Sequence, residues 1–455
     1  MTARIIEGNV FDVLPTIKPG SVDCVVTSPP YWKLRSYLPR GHELKPLELG
    51  GEATPAEYVE NMVKVFRLVR ECMVDHAVCF LNIGDTYQGS GTIGTGKKQF
   101  TNVRSIDKER SPGRPGQLSL IPQRLAIALQ DDGWLVRSVI VWHKPAPMPA
   151  SVAGWRWTRC RVKTAKPCAA GEWGDAKHGR PSDVNQDWLA QWSDCPGCPK
   201  CEPNGGYVLR RGSWRPTNSW EPILMLAKSP KYFCDGEDVK QPAAEATLSR
   251  NEYTRMIDDL DEQFAVKHDH ETTLATANLR DVWTIAAEPL KEKHYAAFPS
   301  ELVYRCLSAA TSAKGYCQKC GGPWVRVVER IGGPPQGDHN QKRDNSEWTN
   351  ATANGGRMMY GGNLSSIYAE YGMPETKTIG WRPSCACGPY LPPRPGLVLD
   401  PFCGSGRTGI EARRMGFDFV GCELNPVYVE MARRLISQNM PLWNGEVKQE
   451  EASMF

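Results

Sequence analysis

A proline-stiffened segment near the N-terminus carries groups that suit a planar, amino-bearing ring. It reads Thr27-Ser28-Pro29-Pro30-Tyr31-Trp32 and follows a Val-rich stretch typical of a buried strand. The two prolines fix φ and remove two N–H donors, so the chain is stiff and the carbonyl groups before them stay free. The Ser28 hydroxyl and the Pro29 carbonyl can accept hydrogen bonds from an exocyclic amine, and Tyr31 can stack on the ring. The candidate catalytic residues are Ser28, Pro29, Pro30 and Tyr31.

A glycine-rich turn near the C-terminus has the build of a ligand-binding loop. The sequence VLDPFCGSGRTG, residues 398–409, indicates a strand, a tight turn and the start of a helix. Glycine at 404 and 406 lets the backbone approach a ligand where a Cβ would clash. The helix start supplies free N–H groups for a carboxylate or phosphate. Glu423 ends the next predicted strand, where a carboxylate can accept both hydroxyls of a ribose.

The same glycines also match the dinucleotide-binding fingerprint, Gly404-x-Gly406-x-x-Gly409. A dinucleotide fold normally opens with this loop and builds its remaining strands after it. Only 46 residues follow Gly409, enough for one more strand and a helix. The position of the loop therefore disfavours a dinucleotide site.

Taken together, TSPPYW near the N-terminus and DPFCGSGRTG near the C-terminus resemble the amino-methyltransferases of DNA. These enzymes use S-adenosylmethionine to methylate cytosine N4 or adenine N6. The order, catalytic loop first and cofactor loop last, is similar to the permuted class called beta. The resemblance covers about residues 4–145, 215–240 and 280–437, and it includes the segments Trp214–Tyr232, Asp281–Ile285 and His294–Leu302.

The resemblance implies a cofactor site for S-adenosylmethionine. Phe298 and Pro299 are expected beside the methionine end of the cofactor. The family often has Gly-Asp where this chain has Gly8-Asn9, and an amide there can still bond the adenine. The implied cofactor-binding residues are Asn9, Asp12, Thr27, Phe298, Pro299, Asp400, Pro401, Phe402, Gly404, Ser405, Gly406, Thr408, Glu423, Leu424 and Asn425.

The type of base follows from the first residue of the tetrapeptide. Family members with Ser there are mostly cytosine-N4 enzymes, whereas adenine-N6 enzymes mostly carry Asp or Asn, so we expect cytosine N4 with adenine N6 as the alternative. The target nucleotide should be flipped out of the duplex. Methylation at carbon 5 would require a nucleophilic Cys, and the Pro-Cys pair at 167–168 lies inside an insertion rather than at a strand end.

Cysteine clusters mark two candidate metal sites. The chain has 16 Cys, and in a reducing compartment short Cys spacings indicate metal ligands before disulfides. Two ligand pairs, each backed by Gly or Pro, suit tetrahedral Zn²⁺ held by four thiolates. We predict a structural zinc site formed by Cys317, Cys320, Cys385 and Cys387, with reduced thiols in turns as the alternative.

A second zinc site is predicted at Cys195-x2-Cys198-x2-Cys201, which supplies three thiolates. The fourth ligand could be Cys160, Cys168 or His178. We favour Cys160, because its flanks have a strand pattern that could pair near the other three. Three thiolates could also hold an iron–sulfur cluster, although nothing else indicates electron transfer. Neither zinc site is predicted to be catalytic, because small insertions with little core need a metal to stabilise them.

Strand and helix patterns alternate around these motifs and predict a parallel sheet with helices on both faces. The expected fold class is α/β, a Rossmann-like methyltransferase sheet in permuted order with two Cys-rich zinc-binding insertions. The predicted strands are Ser21–Thr27, Ala77–Ile83, Leu135–Trp142, Pro222–Ala227, Gly396–Asp400 and Phe417–Glu423. The predicted helices are Pro55–Met73, Leu118–Leu129, Arg407–Met415 and Pro426–Gln438.

The chain is expected to divide into five segments. Three belong to the methyltransferase domain: 1–145 with the catalytic loop, 216–311 with a strand and a polar helical stretch at 240–280, and 391–455 with the cofactor loop. The other two are the Cys- and Trp-rich zinc insertion at 146–215 and the second zinc insertion at 312–390, whose Gly- and Asn-rich part at 331–363 is expected to be poorly ordered.

The charge distribution points to a polyanionic partner. Net charge is only +4, but residues 151–220 hold 11 Lys and Arg against 6 Asp and Glu, and 7 of the 15 Trp. A basic, aromatic segment fits contact with double-stranded DNA and is the candidate target-recognition region, although a solvated insertion is the plainer interpretation. The residues expected to meet phosphates or base edges are Trp155, Arg156, Trp157, Arg159, Arg161, Arg210 and Arg211. Residues 86–117 are interpreted as a mobile basic loop.

The composition and the N-terminal residues exclude some classes of protein and indicate where the protein is located. No apolar stretch approaches the ~18 residues of a membrane span, so a membrane protein is excluded. The N-terminus lacks the build of a signal peptide, so we expect a cytoplasmic, nucleoid-associated protein, with a cognate restriction endonuclease as a candidate partner. Two rival hypotheses are a non-catalytic zinc nucleic-acid-binding protein and an RNA or protein methyltransferase.

Overall fold

The computed structural model describes residues 2–39, 41–88, 113–114, 116–147, 154–163, 192–242, 276–288, 298–331, 375–388, 391–439 and 447–448. Several sequence-based expectations lie outside these residues. They are the body of the 86–117 loop, residues 243–275 of the helical stretch expected at 240–280, residues 332–363 of the segment expected to be poorly ordered, and the alternative ligands Cys168 and His178. At its described ends the 240–280 stretch is not helical but forms two short strands, Gln241–Pro242 and Thr276–Ala277. Within the described residues, no helix is both long and apolar enough to cross a membrane.

The described helices are α1 (Val10–Val13), α2 (Pro55–Cys72), α3 (Ile121–Asp131), α4 (Ser300–Ala310), α5 (Arg407–Arg414) and α6 (Pro426–Gln438). The described strands of the first half are β1 (Ala3–Glu7), β2 (Val22–Thr27), β3 (Met73–Asn82), β4 (Leu135–His143), β5 (Trp155–Arg159), β6 (Arg161–Lys163), β7 (Trp192–Asp194), β8 (Tyr207–Arg211) and β9 (Trp220–Ala227). Those of the second half are β10 (Gln241–Pro242), β11 (Thr276–Ala277), β12 (Val282–Thr284), β13 (Trp324–Ile331), β14 (Glu375–Pro383), β15 (Leu397–Asp400), β16 (Asp418–Glu423) and β17 (Val447–Lys448).

A nine-stranded sheet organises the molecule, in the order β12-β4-β9-β3-β2-β15-β16-β1-β17. Strands β2 and β15 are neighbours although more than 360 residues separate them, with Val398 opposite Cys24 and Leu399 opposite Val25. Because the two strands are parallel, their carboxyl ends lie at the same edge of the sheet. The N-terminal proline motif and the C-terminal glycine loop therefore start side by side, as the permuted order requires.

Helices cover both faces of this sheet. On one face, α2 and α3 pack with the side chains of Tyr58, Phe66 and Trp134 in the first core. On the other, α4, α5 and α6 pack around Phe419 in a second core. Apolar residues recur every three or four positions in these helices, so each buries one stripe against the strands. The predicted two-faced arrangement is confirmed.

The local backbone at the first residues of α2 and α3 determines where each helix begins. Helix α2 begins with a capping box, in which the Thr54 side chain accepts from Glu57 N and Glu57 reaches back to the backbone of Thr54. Helix α3 begins three residues later than predicted, because Leu120 has the left-handed φ of 57° and Leu118 forms a bridge with Tyr87. The local backbone rather than the apolar spacing decides this boundary.

The expectation of a purely parallel sheet is wrong at one strand. Strand β9 is antiparallel to both of its neighbours, β4 and β3. The reason is that β4 and β9 form a hairpin: His143 pairs with Trp220, and Lys144 N donates to Ser219 O over 2.7 Å. Residues 144–219, which contain the first Cys-rich insertion, form the connection of this hairpin and leave the sheet at its carboxyl edge.

Two-stranded ribbons carry the two cysteine clusters. In the first insertion β5 pairs with β8 and β6 pairs with β7, both antiparallel. In the second, β13 pairs with β14 over eight residue pairs, Trp324–Ile331 against Glu375–Pro383. The ribbons bring the chain back on itself, so Cys residues far apart in sequence lie at one end of each ribbon.

Candidate active site

A buried carboxylate joins the two motifs. Asp400, the last residue of β15, accepts from the hydroxyls of Thr27 (2.6 Å) and Thr408 (2.8 Å) and from Phe402 N (3.1 Å). Burial raises the pKa of the Asp400 carboxyl to about 6, against the effect of the Thr27, Thr408 and Phe402 hydrogen bonds. Asp400 thus ties the end of β2 to the start of the glycine loop.

One cavity opens where these strand ends meet. It is lined by residues of both motifs, including Ser28, Pro30, Asp400 and Gly404. Most of the predicted cofactor-site residues line it as well, namely Asn9, Phe298, Pro401, Phe402, Ser405, Glu423, Leu424 and Asn425. The two chain ends therefore face each other across a shared cleft.

Glu423 is held at the floor of the cavity by the backbone. Its Oε2 accepts from Gly404 N and its Oε1 from Asn425 N, both over 2.9 Å. Burial raises the pKa of the Glu423 carboxyl to about 7, although these backbone N–H groups oppose the shift. Each carboxylate oxygen keeps a second lone pair, so the group can also accept a pair of vicinal hydroxyls.

Asn9 caps the short helix α1 at one wall of the cavity. Its Oδ1 accepts from Phe11 N over 3.3 Å, so this bond does not use the amide Nδ2. Five predicted cofactor residues are not among those lining the cavity: Asp12, Thr27, Pro299, Gly406 and Thr408. Of these, Thr27 and Thr408 support Asp400, while Pro299 and Gly406 precede α4 and α5 as N-caps.

The catalytic loop is fixed from behind by hydrogen bonds. Tyr58 on α2 donates its hydroxyl to Pro30 O over 2.8 Å, and Trp32 Nε1 donates to Glu52 O over 3.0 Å. The Tyr31 ring packs against Gly84, where a Cβ would lie 2.4 Å from Tyr31 Cε2. Only glycine fits at that position, so the ring is held in a set orientation.

A polar network surrounds the Tyr31 hydroxyl. Its oxygen lies 2.9 Å from both Asn82 Oδ1 and Glu221 Oε2, and 3.4 Å from Ser28 Oγ. Lys144 forms an ion pair with Glu221. Burial raises the pKa of the Tyr31 phenol well above its usual range, with the Glu221 charge adding to the shift. The phenol is therefore neutral at physiological pH.

Sequence reasoning missed several residues at this site. Asn82, Lys144 and Glu221 belong to three separate strand ends, and no local spacing connects them. Other cavity residues come from the loop after Tyr31, where no motif was recognised; these are Tyr37, Leu38, Leu47, Glu48 and Leu49. Arg407 also lines the cavity, within the glycine-loop motif itself. For Asn82, Lys144 and Glu221, the only signal in the sequence was their position at the ends of predicted strands.

The four cysteines predicted for the first cluster lie together in the structure. Cys160, Cys195, Cys198 and Cys201 have all their sulfur atoms within 4.8 Å of one another. Cys160 Sγ lies 3.9 Å from Cys198 Sγ, which lies 3.5 Å from Cys201 Sγ. Four sulfurs at 2.3 Å from a tetrahedral Zn²⁺ would be about 3.8 Å apart. The arrangement fits zinc, and it brings Cys160 to the three-Cys motif.

The second cluster repeats this geometry. The sulfur atoms of Cys317, Cys320, Cys385 and Cys387 also lie within 4.8 Å of one another. In both clusters the first Cys of a Cys-x2-Cys turn receives backbone N–H groups. They lower the pKa of the Cys317 thiol to about 7 through Cys320 N and Lys319 N, and that of Cys198 to about 7 chiefly through Lys200 N. Metal-binding thiolates are favoured by such turns.

The β5–β8 ribbon presents a basic face and an aromatic face. Arg156 lies directly opposite Arg210 across the two strands. These two side chains border a surface concavity together with Thr158, Arg159, Arg161 and Trp192. The alternate positions include Trp155 and Trp157, both more than half exposed. The ribbon therefore places arginine and tryptophan side chains at an exposed surface.

The fold and the site together define an α/β enzyme with a ligand cavity at the carboxyl ends of its central strands. A family model described as DNA methylase, the N6/N4 methyltransferase model, matches residues 22–317 and 392–434 of the chain. The chain belongs to this family, the S-adenosylmethionine-dependent DNA amino-methyltransferases.

Two Type II methyltransferases align over nearly the whole chain. The Type II methyltransferase M.XycI of Xanthomonas campestris pv. cyanopsidis is 29% identical over 96% of this chain and 89% of its own length. The Type II methyltransferase M.SmaI of Serratia marcescens is 24% identical over 96% and 91%. Among solved structures, the PvuII DNA methyltransferase (cytosine-N4-specific) has a TM-score of 0.42 at 12% identity over 96% and 91%, a likeness too weak to bear on function.

Proposed function

We propose that the protein methylates the N4 amine of a cytosine flipped out of double-stranded DNA. The observation that carries this proposal is the shared cavity, which Ser28 of the proline motif and Glu423 behind the glycine loop both line. Ser, rather than Asp or Asn, at the first position of the tetrapeptide favours cytosine over adenine. The Type II methyltransferase names of the relatives support DNA as the substrate.

The cofactor residues follow from the cavity. S-Adenosylmethionine, when bound, supplies an electrophilic methyl group on sulfur. Glu423 would accept the ribose hydroxyls, and Asn9 would bond the adenine. Phe298 would pack beside the methionine end. Asp12, Thr27, Pro299, Gly406 and Thr408 do not line the cavity, and we retain them as supporting residues of the cofactor site.

The catalytic loop positions the amine. An exocyclic amine is a poor nucleophile, because its lone pair is delocalised into the ring. Acceptors at Ser28 Oγ and Pro29 O draw its N–H bonds out of the ring plane and localise the lone pair toward the methyl group. Tyr31 would stack on the flipped base; its ring packs against Gly84, and Tyr31 is not among the residues that line the cavity. Catalysis is then mostly positioning, and no covalent intermediate is required.

The two cysteine clusters are proposed as structural zinc sites. Each brings four cysteine sulfur atoms to distances that suit one tetrahedral Zn²⁺, and each lies at the end of a two-stranded ribbon. The first ribbon leaves the sheet at the edge that carries the cavity, and its basic face suits DNA phosphates. We propose residues 146–215 as the target-recognition segment, with a cognate endonuclease as a candidate partner of the protein.

Nucleoside analysis tests the proposal. Purified protein is incubated with labelled cofactor and duplex DNA, single-stranded DNA or RNA, and the products are digested and identified by mass spectrometry. We expect N4-methylcytosine in duplex DNA. Adenine N6 methylation as the sole product would reassign the base, and preference for RNA would reassign the substrate.

A matched pair of variants tests the role of Ser28. Ser28→Ala should lower the methyl-transfer rate on the order of 100-fold, the size of a lost positioning hydrogen bond in a reacting complex. Ser229→Ala removes the same hydroxyl from a half-buried turn after β9, outside the residues that line the cavity, and should leave the rate unchanged. Equal rates for the two variants would contradict the assignment.

A further inference from the structure

We propose that Glu221 receives the proton released by amino methylation, through a hydrogen-bonded chain that runs from Ser28 through the Tyr31 hydroxyl. The inference rests on the proposed function, in which Ser28 contacts the reacting amine. Glu221 is not among the residues that line the cavity. Glu221 lies at the start of β9 and acts through Tyr31, whose hydroxyl it contacts.

The orientation of Asn82 defines which atoms face Tyr31. Asn82 Nδ2 donates to Pro222 O over 3.2 Å, so its carbonyl oxygen Oδ1 is the atom 2.9 Å from the Tyr31 hydroxyl. Glu221 Oε2 lies at the same distance on the other side. The Lys144 ammonium pairs with the second oxygen, Oε1, of Glu221. The ion pair therefore occupies Oε1 and leaves Oε2 facing the Tyr31 hydroxyl.

The network makes Glu221 an acceptor for the Tyr31 proton. The Ser28 hydroxyl lies 3.4 Å from the Tyr31 oxygen and 3.5 Å from Asn82 Oδ1, so Asn82 Oδ1 can accept from Ser28 while Tyr31 donates to Glu221 Oε2. A proton taken up at Glu221 Oε2 can be donated back to the Tyr31 oxygen, and Tyr31 then donates to Asn82 Oδ1.

Amino methylation releases one proton. As the amine nitrogen forms its bond to the methyl carbon, the carbon–sulfur bond breaks and its electron pair stays on sulfur. The amine then passes a proton to Ser28 Oγ, Ser28 passes its own to Tyr31, and Tyr31 passes its own to Glu221. Ser28 and Tyr31 end neutral. The side chains of Lys144 and Glu221 are 25% and 20% exposed, so the proton can leave to water.

Single-turnover kinetics with Tyr31→Phe and Glu221→Gln test the chain. Tyr31→Phe keeps the ring and removes the hydroxyl, and Glu221→Gln keeps the shape and removes the base. We expect each to slow methyl transfer on the order of 100-fold. Dissociation constants for cofactor and DNA should stay within about twofold, and the double variant should be no slower than either single variant. Glu60→Gln, which also breaks an ion pair with a lysine, serves as the control.

Chemical rescue separates proton transfer from a structural role. In Glu221→Ala, added formate should restore part of the rate in proportion to its concentration, while Glu60→Ala should show no response. Three results would overturn the proposal: single variants within about twofold of the native rate, effects that multiply in the double variant, or no rescue by formate. Failure of the native protein to methylate any nucleic acid would instead contradict the proposed function on which this inference depends.

Discussion

At the scale of single residues, Glu423 links cofactor binding to pH. Burial raises the pKa of its carboxyl to about 7, and ribose hydroxyls are accepted best by the ionised form. Binding should therefore release a proton below that pH. We expect the dissociation constant for S-adenosylmethionine, measured by calorimetry, to rise as pH falls below about 7, by up to about tenfold per unit. In the cofactor-free protein, low pH has the opposite effect on folding. The raised pKa of Glu423 stabilises the fold fully at a pH below the ordinary carboxyl pKa, and this stabilisation is lost as pH rises through about 7.

The glutamine variant isolates this effect. Glu423→Gln should bind cofactor more weakly and with little dependence on pH, whereas Glu430→Gln on α6 should keep the native profile. An unchanged pH dependence in Glu423→Gln would show that another group titrates.

The residue scale also shows what sequence reasoning can reach. The sequence singles out Ser28, Glu423 and the eight cysteines as candidates, because they lie in short motifs with distinctive chemistry. It does not single out Asn82, Lys144 and Glu221, because their relation exists only after β3, β4 and β9 lie side by side. Thr27 and Thr408 were placed in the cofactor site, but their hydroxyls bond the Asp400 carboxylate. A motif gives the type of a side chain, while the fold decides which neighbour it meets.

At the scale of elements, the third glycine of the loop is needed for packing. A Cβ on residue 409 would lie 2.6 Å from Ile436 Cδ1 and 2.6 Å from Phe419 Cε1. Helix α5 therefore approaches α6 and β16 closely only with glycine there. Gly409→Ala should lower the free energy of unfolding by about 1–3 kcal/mol, the usual cost of overpacking a core.

Denaturant unfolding measures this cost, with Gly236→Ala as the control, since a Cβ at residue 236 meets nothing within 4 Å. Equal stability of the two variants would mean that α5 can shift without loss. Helix packing therefore explains the third glycine of the dinucleotide fingerprint, and no dinucleotide site is needed to account for it.

The ribbon of β5 and β8 gives a second prediction at this scale. If Arg156 and Arg210 neutralise phosphates, Arg156→Gln and Arg210→Gln should each weaken DNA binding and reduce the slope of log affinity against log salt by about 0.9. Folding should be little affected, because both side chains are exposed. Lys64→Gln on α2 removes the same charge elsewhere and should leave the slope unchanged. A native slope in both arginine variants would contradict a phosphate-binding face.

Elements also explain the error in strand direction. Alternating strands and helices predict parallel strands, and six of the eight neighbouring pairs in the large sheet are parallel. The pattern in β9 was recognised but not its direction. The two flanks of the 144–219 insertion pair as a hairpin, and residue types along β9 do not encode that return. The antiparallel strand is what carries Glu221 back to the catalytic loop.

At the scale of the whole molecule, the two cysteine clusters serve separate parts of one enzyme. The first holds ribbons that project from the catalytic edge, and the second closes the loop between α4 and β15. We expect two equivalents of zinc per chain by atomic emission. Cys198→Ser and Cys385→Ser should each remove one equivalent, because a structural site with three thiolates binds zinc far more weakly.

The two losses should differ in their consequences. Without the first zinc, the arginine face loses its support, so Cys198→Ser should bind S-adenosylmethionine normally while losing DNA binding and methyl transfer. Without the second zinc, the packing beside β15 and Arg394 weakens, because Tyr316, adjacent to Cys317, exchanges backbone hydrogen bonds with Arg394. Cys385→Ser should therefore lower the melting temperature and cofactor affinity together. Cys234→Ser, outside both clusters, is the control for loss of a thiol. Normal DNA binding by a zinc-depleted Cys198→Ser protein would contradict a role of the first insertion in target recognition.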